Sequence, residues 1–110
     1  MNIQDYIQSH VKSGIPTGLS GNRGLPVRMP ASPIECADGF SMSVQAGSML
    51  YCSPRNNDGP YTHFEVGFPS EREELLMPYV EDEFRPTDTV YAQVPIEVIV
   101  EVINKHGGVK

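Results

Sequence analysis

Phe40-Ser-Met-Ser-Val-Gln-Ala46 and Thr62-His-Phe-Glu-Val-Gly-Phe68 decide how this chain folds. Each run alternates apolar and polar residues without a fault, which is the two-residue period of a strand with one face buried. Phe40, Met42, Val44 and Ala46 point one way, and Ser41, Ser43 and Gln45 the other. Phe64, Val66 and Phe68 repeat the apolar side in the second run. Between them lies Ser53-Pro54-Arg55-Asn56-Asn57-Asp58-Gly59-Pro60, a concentration of turn formers. The two runs read as an antiparallel hairpin over about residues 40–68. Gly47 shifts the phase, so Met49 and Tyr51 rejoin the inner face only if one residue is extra. That predicts a bulged first strand reaching Cys52, or else a tight hairpin at Gly47-Ser48.

Outward from the hairpin, helices and a further strand appear. Ile3, Ile7 and Val11 share one face of a helix over about 2–13, with Asn2 as its cap and Asp5 in its first turn. Ser70 and Glu73 have the spacing of a capping box, which predicts a helix over about 71–78 with Leu75, Leu76 and Met77 inward. Thr89 to Val94 reads as a strand. Ile96, Ile99, Val100 and Ile103 form a helical stripe over about 95–106. Pro95 suits its first turn, Glu101 and Lys105 stand as an i, i+4 pair, and Lys105-His106-Gly107-Gly108 is a stop with a cation at the helix end. Residues 14–39 hold many glycines and prolines and read as an irregular loop. The expectation is one α+β domain over 1–110, with a small antiparallel or mixed sheet of three to four strands.

Composition bounds the function. The formal charge is −6, and it is unevenly placed. Residues 1–30 hold Lys12, Arg23 and Arg28 against Asp5, whereas residues 31–110 hold 5 basic against 13 acidic residues. An acidic body lacks the cations that phosphate contacts require, so direct nucleic-acid binding is not expected. No apolar run approaches the roughly 20 residues that span a bilayer, so no membrane role is expected either. The first residues form no secretory signal, so a cytoplasmic location with reduced Cys36 and Cys52 is expected.

Several side chains invite chemistry. Gly18-x-x-Gly21-x-x-Gly24 suggests a phosphate loop, but no strand precedes it and no Lys-Ser/Thr pair follows. His10, His63 and His106 show no metal-ligand spacing, so neither metal nor cofactor is expected. His63 and Glu65 share the polar face of the second strand, opposite Cys52 or Ser53, which opens a Cys–His thiol site. A solvated strand face explains the same pattern. Arg55, Tyr61, His63 and Glu65 form a candidate anchor for a small molecule or nucleotide. Glu81, Asp82 and Glu83 begin an acidic loop, 81–88, that suits a basic protein surface.

The strings FSMSVQ (40–45), YCSPR (51–55), GPYT (59–62), EVGFPS (65–70), MPYVE (77–81) and VYAQVPIEVIVEVINKHGG (90–108) resemble a family of small uncharacterised proteins of tailed phages and prophages. The resemblance covers about residues 36–109 and brings no assigned activity. It implies a phage protein acting in the bacterial host cell. The expected role is therefore a non-enzymatic accessory protein that binds a host or phage protein with a basic surface, inhibiting a host or defence factor. Alternatives are a small-molecule or nucleotide-binding module and a small thiol enzyme. A homodimer through a sheet edge is compatible with each.

Overall fold

In the computed structural model the described residues are 2–12, 16–19, 26–28, 31–47, 50–55 and 59–110. Helix α1 spans Ile3–Lys12, and α2 spans Ile96–Lys105. Among the described residues between them are the strands β1 Pro16–Leu19, β2 Pro26–Arg28, β3 Ile34–Glu35, β4 Ser41–Gln45, β5 His63–Gly67 and β6 Val90–Pro95. β1 and β2 form their own antiparallel pair, and the other four make an antiparallel sheet in the order β3-β4-β5-β6. The α+β class and the hairpin are thus as the alternation predicts. Within 14–39, which the composition reads as an irregular loop, the described residues include β1, β2 and β3.

The inner face of the sheet is the one the alternation marks. Phe40, Met42, Val44, Ala46, Phe64 and Val66 are all buried, and Val44 faces Val66 while Phe64 faces Val94. Helices α1 and α2 close the core with Ile7, Val11, Ile96, Ile99, Val102 and Ile103. Burial of such side chains contributes about 1.5–3 kcal/mol each. Asn2 caps α1 as its position predicts, its Oδ1 accepting from the Asp5 N–H at 2.8 Å. At the other end of the chain, Gly108 N–H donates to Ile103 O and Gly107 N–H to Asn104 O. Gly107 (φ 91°) and Gly108 (φ 92°) supply the left-handed turn, and a Cβ on Gly107 would press on Ala37 at 3.1 Å.

Four expectations are corrected. First, β4 ends at Gln45 instead of running bulged to Cys52: Leu50 N–H bonds Gly47 O in a turn, and Tyr51 is 48 % exposed. Met49 and the Gly47-Ser48 corner lie partly outside the described residues. The bulge is instead in β6, where Ala92 and Gln93 oppose the single residue Glu65. Second, Phe68 leaves the core face: its φ is 49° and it is 57 % exposed. Third, no α-helix forms at 71–78; the segment folds into turns and a 3₁₀ turn at Met77–Tyr79. Ser70 caps nothing there, because its Oγ accepts from Ser41 N–H at 3.0 Å. Fourth, Lys105 bonds Glu73 at 2.8 Å, not Glu101.

Both outer strands of the four-stranded sheet carry chain along their free edges. Cys36, next to β3, bridges Val109, and Lys110 N–H donates to Glu35 O. On β6, Tyr91 bridges Val80, and Glu81 N–H donates to Val90 O. A homodimer built by edge pairing has to displace these segments.

Candidate functional site

The acidic loop is a built feature. It leaves the sheet after the Val80–Tyr91 bridge and returns at β6, so its two ends are fixed to each other. Asp82 Oδ1 accepts from Phe84 N–H at 3.0 Å, and its carbonyl accepts from Arg85 N–H at 3.2 Å. Asp88 N–H then returns to Arg85 O at 2.9 Å. From beneath, the Tyr91 hydroxyl donates to Pro86 O. The Tyr91 ring is fully buried, and burial pushes its phenol up from the ordinary value, so it stays a donor.

On this frame Glu81, Asp82 and Glu83, with Val80 and Phe84, line an open concavity of about 260 Å³. Phe84 is 87 % exposed. The turn that its own N–H makes with Asp82 holds it outward. Arg85 meets Asp88 at 3.7 Å, leaving the three acids at the front of the loop without a paired cation among the described salt bridges.

The hairpin residues turn out differently. Tyr61 is a core residue, 2 % exposed, with its ring against Phe64 at 5.9 Å. Its backbone is fastened by Gln8, whose Oε1 accepts from Tyr61 N–H and whose Nε2 donates to Tyr61 O. Glu65 Oε2 accepts from Tyr51 N–H at 3.1 Å. Ser53, not Cys52, lies opposite His63, and Thr62 Oγ1 meets His63 Nδ1 at 2.8 Å. Arg55 is exposed.

Cys52 is fully buried, its S–H donating to Gly47 O at 3.1 Å and its Sγ accepting from Gly47 N–H. Gln93 completes the arrangement. Its Oε1 accepts from Ser53 Oγ at 2.7 Å and its Nε2 donates to Cys52 O at 3.0 Å. The polar groups of the hairpin are therefore largely engaged in holding residues 51–53 over the outer face of the sheet.

One charged cluster has no counterpart in the sequence reading. His106 caps α2, stacks on Phe40 with ring centroids 4.1 Å apart, and is buried. Its Nδ1 lies 2.6 Å from Asp38 Oδ2 and its Nε2 2.7 Å from Glu73 Oε1. Glu73 is 2 % exposed and also accepts from Lys105 Nζ and from Leu75 N–H. Burial opposes charge on the imidazole, but the hydrogen bonds to Asp38 and Glu73 outweigh it and raise its pKa. Burial likewise opposes charge on Glu73, and the bonds from Lys105, the Leu75 N–H and His106 hold its pKa below the usual value. The Phe40 N–H and then His106 hold Asp38 low.

Both ring nitrogens of His106 are engaged by carboxylates, which leaves none facing a substrate. Residues 38, 73 and 106 are too far apart in sequence for any spacing rule to join them. The only local signal was a cation at a helix end, and Glu73 read as part of a cap.

Among the described residues no group of three His, Cys, Asp or Glu is arranged to hold a metal ion, and no helix is long and apolar enough to cross a membrane. Comparisons with protein-family models, curated proteins and solved structures find no match to this chain.

Proposed function

We propose that this chain acts by binding, docking a basic protein surface through loop 81–88. The observation that carries this reading is Phe84, 87 % exposed on a loop whose front bears Glu81, Asp82 and Glu83. An outward aromatic ringed by charge has the make-up of an interface anchor: the ring fills a pocket, and the acids steer and orient the partner. The loop is tied at both ends and from beneath, so little order has to be gained on docking. The resemblance of residues 36–109 to tailed-phage proteins gives this reading its setting. The partner is then a host or phage protein in the bacterial cytoplasm, and binding inhibits a host or defence factor.

The test is capture of a stoichiometric partner from bacterial lysate, followed by kinetics with the purified pair. Replacing Glu81, Asp82 and Glu83 by Lys abolishes binding. Their replacement by Gln slows association and flattens its salt dependence, and Phe84→Ala speeds dissociation. Full binding by the triple-Lys chain, or the lack of any stoichiometric partner, sinks the reading.

A further inference from the structure

The cluster around His106 shares no residue with the docking loop. Both contacts of its ring end on carboxylate oxygens, at 2.6 Å and 2.7 Å. An ionised carboxylate only accepts, so both contacts are hydrogen bonds only when both ring nitrogens carry hydrogen. The geometry is that of the imidazolium. A neutral ring has one N–H, and its other nitrogen then turns a lone pair toward a carboxylate.

The two carboxylates differ in what they can do next. The Glu73 side chain is 1 % exposed and is fixed by Lys105 and Leu75, so it cannot exchange His106 for water. The Asp38 side chain is 49 % exposed and can. Loss of the proton therefore falls on Nδ1, and the Asp38 contact is the one that opens.

Asp38 belongs to the turn that receives the end of the chain. Asp38 N–H donates to His106 O at 3.2 Å, and Ala37 N–H to Gly108 O at 2.9 Å. Beyond them Cys36 bridges Val109, and Lys110 N–H donates to Glu35 O at 2.8 Å. We propose that His106 is a proton-operated latch: the imidazolium holds residues 106–110 along the outer edge of β3, and the neutral ring releases Asp38 and frees that segment.

The other groups around the ring do not take this role. Phe40 is uncharged. The Cys36 thiol is pushed up by burial and by Asp38, and so stays protonated. Lys105 is held up by its bond to Glu73. The Arg72–Glu74 and Lys110–Glu35 pairs beside the cluster are exposed, at 2.7 Å and 3.6 Å.

The experiment is a nuclear-magnetic-resonance titration of isotope-labelled protein, with amide exchange corrected for its intrinsic pH dependence. At acidic pH both imidazole nitrogens carry protons, and after titration the remaining proton sits on Nε2. Across that step the Ala37, Asp38 and Lys110 amides lose about tenfold or more of their protection, exchanging through an opening that leaves the amides of β4 and β5 better protected at every pH, the latter declining only with global stability. In Asp38→Asn the single side-chain oxygen stays with the Phe40 N–H, and the amide NH2 donates to the bare Nδ1 of the neutral ring but faces a second donor in the imidazolium, so the parent's fall in protection across the titration is lost or reversed.

Several results overturn the proposal. They are a neutral ring protonated on Nδ1, unchanged protection through the titration, β4 and β5 amides no better protected than the C-terminal segment above the step, and the parent's pH dependence persisting in Asp38→Asn. A ring that remains doubly protonated to about pH 9, well beyond the ordinary histidine range, does so too.

Discussion

Gln93 has φ 54°, a left-handed conformation that costs a non-glycine residue about 1 kcal/mol. Three hydrogen bonds hold it there: its N–H to Tyr51 O, its Oε1 from Ser53 and its Nε2 to Cys52 O. Backbone strain and side-chain anchoring thus oppose each other at one residue, and two substitutions separate them. Gln93→Ala keeps the strain and loses both side-chain bonds, and is expected to destabilise by about 1–3 kcal/mol in urea unfolding. Gln93→Gly loses the same bonds but relieves the strain, so it is expected to be more stable than the alanine variant by about 0.5–1 kcal/mol. In an ordinary strand glycine is the poorer of the two, so the reversed order is the signature of the bulge. A chain in which alanine is better tolerated than glycine here does not have this backbone at Gln93.

At the scale of elements, the segment after β5 shows what a local motif can and cannot specify. Ser70 and Glu73 have capping-box spacing, but Ser70 Oγ accepts from Ser41 N–H and Glu73 points into the His106 cluster. Ser70→Ala is therefore expected to cost about 1 kcal/mol by leaving the Ser41 N–H without its partner. It should leave helix content by circular dichroism unchanged; a fall in helix signal restores the capping-box reading. The elements legible in the sequence were those whose burial follows a period. Met42, Val44, Phe64 and Val66 mark the hairpin, and Ile96, Ile99 and Ile103 mark α2. Three features had no period to read. The strands in 14–39 are only two to four residues long. The β6 bulge moves one residue out of step, and Phe68 turns outward on a positive φ. The acidic loop could be read from charge alone, but its exposed Phe84 could not, because an isolated aromatic looks the same whether buried or presented.

For the molecule as a whole, Asp38, Glu73 and His106 join the β3–β4 turn, the segment after β5 and the end of α2. Their protonation therefore governs global stability, and the two signs are opposite. Glu73, with a folded pKa below its ordinary 4.5, stabilises above that value, and its contribution is lost as pH falls through the lowered folded value. His106, with a folded pKa above its ordinary 6.5, contributes fully below 6.5, and that contribution is lost as pH rises through the raised folded value. Stability from this cluster is therefore greatest between the two ordinary values and declines on both sides.

Glu73→Gln keeps the size of the side chain but leaves Lys105 and His106 without their buried counter-charge. It is expected to lower the unfolding free energy near pH 6 by about 2–4 kcal/mol. The same change removes a carboxylate that supports the imidazolium, so the alkaline decline should begin at lower pH in the variant. Urea unfolding at a series of pH values measures both effects together. A variant as stable as the parent near pH 6, with an unchanged alkaline limb, would mean that Glu73 does not face His106 as an ion.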